Sequence, residues 1–330
     1  MSVTDPGRTA AGATPAGVIT GPPGRPVPPP IPRAAGARPP RRGLLAGLRR
    51  SRKATAGAAL LLLFVALALL APVLSPGDPS LIGSGGAAEP PSAGHLLGTT
   101  AKGQDVLGLT LWGARSSLFV GFTVGAAATL LGVVVGMSGA YFGRFVDGFL
   151  SLLTNVFLLL PGLPLLVILA AFLPPGTGTV IVVLIITGWA GSARVIRSQA
   201  LSIRGKDYVA AAVVTGERAP WIMFREILPN MASVVMTTFL GCVIFGIGAQ
   251  AGLEFLGLGD VSVVSWGTNL YWAGNDGALM TGAWWVFVPS GVCIALVAFA
   301  LAMVNYAIDE ITNPRLRTTG RGLSRRGKEG

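Results

Sequence analysis

The sequence predicts an all-α protein that crosses a membrane six times, and three observations predict it. Apolar residues make up 52% of the 330-residue chain and charged residues only 12%, against about 25% charged in an ordinary soluble domain. Apolar runs of spanning length, about 17 to 25 residues, recur along most of the chain. Glycine at 47 and proline at 24 suit this class, because both are commoner in membrane helices than in soluble ones.

The first element is not a helix. Residues 1–55 hold 11 prolines and 10 Lys/Arg, a composition that cannot bury a core, so they read as a disordered Pro/Arg-rich cytoplasmic tail. A six-helix transmembrane domain over 56–310 follows, with spans at 56–75, 116–139, 149–173, 178–194, 231–253 and 284–308. A basic cytoplasmic C-terminal tail over 311–330 closes the chain. The first span is preceded by too long a lead to be a signal peptide and reads as a retained anchor.

Each later span carries its own signal. In the second, Gly121, Gly125, Gly132, Gly136 and Gly139 fall within an arc of about 60° at about 100° per residue, a stripe that lets two helix backbones approach closely in lipid. Pro161 and Pro164 each remove a helical hydrogen bond and predict a kink near 157–164 in the third. Asn155, Gln250 and Asn305 are polar groups expected to bond neighbouring helices. Cys242 and Cys293 lie in apolar runs and read as small packed hydrophobes, not as a disulfide.

Six spans put both ends of the chain on one side, and the basic residues choose the side. With both termini cytoplasmic, 23 of the 25 Lys/Arg fall on inner segments, leaving only Lys102 and Arg115 outside. The net charge of +11 is thereby explained by topology and the anionic inner leaflet, so the partner is the lipid membrane and nucleic acid is not needed. No span as drawn contains an ionisable residue in its interior, which argues against a carrier coupled to protons or sodium. No phosphate-cradling Gly-x-x-x-x-Gly-Lys-Ser/Thr loop is present, so the chain itself should not hold ATP. The one histidine, His95, is expected to be a surface residue, and it can build neither a triad with an internal base nor a multi-histidine metal site. Catalytic, cofactor and metal residues are accordingly expected to be none.

The inner loop at about 204–230 is more organised than a connection requires. In DYVAAAVVTGERAPWIMFREILP (207–229), Asp207 can cap a helix from Tyr208 to Thr215 and Gly216 permits the left-handed turn that ends it. Pro220 suits the first position of a second short helix, which Pro229 would stop. Ala210, Ala211 and Ala212 leave a smooth surface able to seat in a groove, while Trp221, Ile222 and Phe224 supply bulk for anchoring. From the residues alone two readings stay open: a docking site for another protein, or an amphipathic pair lying on the membrane.

Ala211-Ala212 and Gly216 followed by Leu228-Pro229 resemble the coupling motif of permease subunits of ATP-binding-cassette (ABC) importers. HLLGTTAKGQDVLGLTLWGARSSLFVG (95–121), GLEFLGLGDVSVVSWGTNL (252–270) and DEITNPRLR (309–317) resemble blocks of the C-type permeases of the dipeptide/oligopeptide (peptide/nickel) family. Ala210, Thr100, Gln104 and Gln250 depart from that pattern, each removing a charge. The resemblance implies a type I ABC importer permease fold, with the 207–229 loop as its cytoplasmic coupling helices, in the bacterial cytoplasmic (inner) membrane. The partners it implies are a homologous B-type permease, two ABC ATPase subunits that hold ATP and Mg, and an extracellular substrate-binding protein. It assigns ATPase coupling to Asp207, Tyr208, Ala211, Ala212, Gly216, Trp221, Leu228 and Pro229. The implied cargo is a di- or oligopeptide; nickel or a nickel chelate is the alternative within the class, and an ion-coupled secondary carrier the alternative outside it.

Overall fold

The computed structural model describes residues 51–312; nearly all of the two expected tails lies outside them. The first helix, α1 (Arg52–Leu74), begins four residues earlier than the span read at 56, with Ser51 accepting at its N-terminus from the Ala54 amide. It is followed by α2 (Val106–Phe142), α3 (Arg144–Leu159), α4 (Gly162–Phe172), α5 (Thr177–Arg204), α6 (Asp207–Val214), α7 (Ala219–Trp221), α8 (Ala232–Phe255), α9 (Trp266–Asn275) and α10 (Val288–Thr312). Among the described residues no strand forms, and one isolated bridge joins Thr99 to Asp105.

Five helical stretches are long and apolar enough to cross a membrane, and α3 with α4 makes a bent pair at 88°. The bend falls at Leu160-Pro161, within the stretch where the prolines predict a kink, but it breaks the helix outright. Packing levels decide whether this pair crosses. Val120 and Val124 of α2 cluster with Val183 and Leu184 of α5, and Ala140 near the end of α2 accepts from Arg204 at the end of α5 at 2.8 Å. Helices α2 and α5 therefore run parallel, and the chain between them has to return through the bundle. The α3–α4 pair is one broken crossing.

The same reasoning orients the rest. Met231, just before α8, clusters with Ile196 and Ile203, while Leu253 at its other end clusters with Val120 and Val180. Lys53 sits over the Tyr306 ring at 4.6 Å, and the Ser75 carbonyl at the other end of α1 accepts from Trp112 at 3.2 Å. Six crossings result. The start of α1, the end of α10 and the 204–231 segment share one end, called the near end. The far end carries 75–105, 173–176 and 256–287.

The glycine stripe of α2 meets two helices, not one. Gly121 and Gly125 face Ile247 and Val243 of α8, whereas Gly132 and Gly136 face α5. A Cβ on Gly136 would lie 2.6 Å from the Ala193 carbonyl oxygen and 2.9 Å from the Arg197 amide nitrogen, so any side chain there forces two backbones apart. Gly139 lies beside Asp147 of α3. Helix α2 is thus the central post of the bundle.

Several readings need correction. The span drawn to 253 stops one residue short of Glu254, which α8 includes and which is 5% exposed; the interior is not free of ionisable groups. Asn155 does accept from a neighbouring helix, from Arg194 at 2.9 Å. Gln250 instead donates to Glu254 on its own helix at 2.9 Å, and the side-chain oxygens of Gln250 and Asn305 are buried without a hydrogen-bond partner. His95 is half-buried rather than a free surface residue: its Nδ1 lies 3.1 Å from Asp105 Oδ1, and Asp105 also caps α2 by accepting from the Gly108 amide. Both cysteines are free; Cys242 Sγ contacts Ser192 Oγ at 3.0 Å between α8 and α5.

Candidate functional site: the 204–231 segment

The segment starts where α5 ends against α2. Arg204 bonds the Ala140 carbonyl, and a turn at Gly205-Lys206 reverses the chain into α6. Asp207 was expected to cap this helix. Lys206 holds the cap backbone conformation instead, and no side-chain cap bond is made. Asp207 lies one residue inside, in the first turn, where a carboxylate is favoured by the exposed amides and the helix dipole. The alanine run Ala210–Ala212 carries the helix. Gly216 ends it at φ +80°, its amide bonding Val213 and the next amide bonding Ala212. That turn leaves the last carbonyls satisfied as a left-handed cap requires.

Pro220 sits in the first turn of α7, in its second position, where its missing amide costs no bond. Pro229 does not stop the helical path, contrary to expectation. The chain widens into a turn of i→i−5 bonds over Ile222–Ile227, tightens into a 3-10 turn over Leu228–Met231 and continues as α8. The Leu228 amide bonds Met223; Pro229 has no amide to offer, so the ladder is reset there without breaking. The result is one continuous helical path from Ala219 to Phe255.

The inward face of this segment is apolar and fixed. Val209, Ile222, Met223, Ile227 and Met231 are buried together with Val133, Met137 and Ala140 of α2 and Ile196, Ala200 and Ile203 of α5. Burial of this kind stabilises by about 1.5–3 kcal/mol per large side chain. Of the three residues read as bulk for anchoring, Ile222 is fully buried in this anchor, whereas Trp221 and Phe224 are exposed. Nearby, Arg197 of α5 donates to both oxygens of Asp147 of α3 at 2.5 and 2.7 Å, tying the broken crossing to the same block.

The outward face is different. Tyr208, Val213, Val214, Trp221 and Phe224 are exposed, Val214 at 87% and Phe224 at 61%. The Arg225 guanidinium lies 4.8 Å from the Trp221 ring centre, a contact that holds the ring in place. Partial burial first, and the Glu226 carboxylate second, push the Tyr208 phenol above its ordinary value, so it stays neutral and can both donate and accept. Of the residues assigned to coupling, Asp207, Tyr208, Ala211, Gly216, Trp221 and Pro229 are exposed. Ala212 and Leu228 are half-buried and pack against the inner cluster. Val213, Val214 and Phe224 complete the outward face. The paired valines went unassigned, although two β-branched residues closing an alanine helix in a polar-edged loop were a visible signal.

The segment thus has a firmly packed apolar inner face and an apolar, solvent-facing outer one. A model of the family described as binding-protein-dependent transport system inner membrane component matches residues 128–318, and one for the N-terminal transmembrane domain of oligopeptide transport permease C matches residues 42–91. The chain is 33% identical over 273 residues to the dipeptide transport system permease protein DppC of Bacillus subtilis (strain 168), covering 82% of this chain and 84% of that one. It is 31% identical over 273 residues to the oligopeptide transport system permease protein OppC of the same organism, covering 82% and 88%. The solved methionine ABC transporter MetNI, in inward-facing conformations, gives a TM-score of 0.49 at 21% identity over 61% of this chain and 96% of that one, too distant a likeness to bear on function.

Proposed function

The chain belongs to the family of binding-protein-dependent transport system inner membrane components, and from that premise we propose that it is the permease subunit of an ATP-driven importer of di- and oligopeptides. The peptide class is supported by its relatives DppC and OppC, permease proteins of dipeptide and oligopeptide transport systems. It would form half of the translocation path beside a homologous permease. Two ATPase subunits would bind and hydrolyse ATP with Mg, and an extracellular binding protein would deliver substrate at the far end. The near end is cytoplasmic in this reading, since it carries the start of α1, the end of α10 and the 204–231 segment, and the Lys/Arg of the sequence are concentrated in and next to these stretches.

One observation carries the proposal: the 204–231 segment is anchored inward by a buried apolar cluster and turns exposed apolar side chains outward. Tyr208, Val213, Val214, Trp221 and Phe224 would seat on an ATPase subunit. Because Ile222, Ile227 and Met231 are locked against α2 and α5, a push on the outer face would move these helices together instead of deforming the loop. Membership of a permease family now argues against an ion-coupled carrier; with Glu254 buried in α8, the expected lack of charged residues no longer does.

The test replaces Gly216, whose φ of +80° proline cannot adopt. In vesicles holding the whole importer, Gly216→Pro is expected to assemble and insert but to lose uptake, whereas Gly216→Asn, which tolerates the left-handed conformation, keeps most of it. Near-normal uptake by the proline variant would remove the coupling role.

A further inference from the structure

The buried carboxylate of Glu254 has no part in the coupling surface and no cationic partner among the ion pairs of the described residues. Its surroundings are nevertheless shaped to it. Oε1 accepts from Gln250 at 2.9 Å, and Oε2 accepts from the Ser265 hydroxyl. A Cβ on Gly267 would lie 2.5 Å from Oε2, and one on Gly259 would lie 2.9 Å from Cγ, so two glycines leave the space that this side chain fills. Ser265 is the N-cap of α9, accepting from the Thr268 amide at 3.0 Å in a reciprocal capping box. The last turn of α8 is thus joined to the first turn of α9 through one side chain.

The first turn of α9 is buried in the bundle at the far end. Trp266 is fully buried; its amide donates to Ser117 and its ring N–H to the Thr110 carbonyl of α2. Asn269 donates to the Leu109 carbonyl and to Ser290 of α10. At its other end α8 continues directly from the anchored 219–231 path. A single rod therefore runs from the outward-facing near-end segment to the point where Glu254 grips α9.

We propose that Glu254 is a positioning residue that makes α9 move with α8, so that displacement received at the near end is delivered to the far end of the path. This rests on the permease reading. Without the joint, α9 would be tied only to α2 and α10 and would follow the far end of α8 no further than those two helices do.

The test uses the complete importer in proteoliposomes, with Cys242 and Cys293 replaced by alanine and a maleimide label at Asn275→Cys on the exposed end of α9. ATP is expected to change the labelling rate when Glu254 is present. In Glu254→Leu most of that change is lost, and uptake of a radiolabelled pool of di- and tripeptides per ATP hydrolysed falls about tenfold, the scale of a typical coupling between sites, while ATPase activity is kept. Glu254→Gln retains both, because its amide can accept from Ser265 and donate to the free oxygen of Gln250. The double variant Glu254→Leu/Ser265→Ala separates joining from mere satisfaction of a buried hydroxyl: it leaves Ser265 no hydroxyl to strand, yet is expected to be as defective as the single. A labelling rate indifferent to ATP in the parent, normal coupling in Glu254→Leu, or recovery in the double variant would each overturn the proposal. Absence of peptide uptake by the parent with ATP-dependent labelling intact would overturn the substrate reading alone.

Discussion

The two ends of the bundle are held by different forces. At the near end, Ile196, Ile203, Ile222, Ile227 and Met231 are buried against Val133, Met137 and Ala140, and the 204–231 segment is fixed chiefly by non-directional apolar contact. At the far end, the apolar contacts of Trp266 with the Phe64, Ala114 and Leu118 cluster and a small alanine-rich cluster at Ala273, Ala278 and Ala283 are joined by many directed bonds. Trp266, Asn269 and Ser265 bind α2, α10 and Glu254; Trp285 donates to the Thr99 carbonyl, and Lys102 meets Asp276 at 3.6 Å. Close-packed apolar surfaces move as blocks. A hydrogen bond nets only about 0.5–1.5 kcal/mol, since water can replace a lost partner. In the proposed mechanism the near end would transmit a push as one block, and the far end would follow through individual directed bonds, each of modest net strength.

The sharpest way to break this contrast is to hollow out the near end. Ile222→Ala leaves a cavity at a fully buried position and is expected to cost about 2–5 kcal/mol, read as a lower thermal midpoint of the purified complex in lipid nanodiscs, with uptake falling further than ATPase activity. An unshifted midpoint would mean that the apolar cluster does not fix the segment. A smaller effect is expected from Asn269→Leu, of similar shape, which removes bonds of 3.0 and 3.2 Å to Leu109 and Ser290. It should cost about 1–3 kcal/mol. Should this variant be the worse of the two, the assignment of forces to ends is reversed.

How much of this was legible in the sequence follows the same division. Crossings are written in length and apolarity, so six were readable, and Pro161 marked the break in the third. Its angle was not, because it depends on how α3 leans on α5 through Asp147 and Asn155. The glycine stripe was readable as one face, but that it serves α8 at one end and α5 at the other is a tertiary fact. Helix α9 was missed within a region read as loop, though Ser265 three residues before Thr268 is a capping pair ahead of an aromatic run. Glu254 was missed because a hydropathy window ends at the first charge and cannot tell a buried carboxylate from a solvated one. The spacing of Gln250 and Glu254, one helical turn apart, was the available hint. Asp207 failed as a cap by one residue, within the ordinary uncertainty of helix ends.

The smallest expected effect concerns the near end's own polar tie. Asp147 and Arg197 form a two-pronged contact across α3 and α5, with side chains 25% and 35% exposed. Good geometry favours a contribution, but partial solvation screens it, and pairs of this kind are worth about 1 kcal/mol or less. Asp147→Asn keeps an oxygen that can accept from Arg197 and removes only the charge. It should lower the thermal midpoint slightly at low salt, and the gap to the parent should close near 1 M NaCl, where charges are screened within about 3 Å. A loss of about 3 kcal/mol or more that salt does not touch would instead mark a desolvated pair. The near end would then owe its stiffness to charge as well as to packing, and its contrast with the far end would be one of degree.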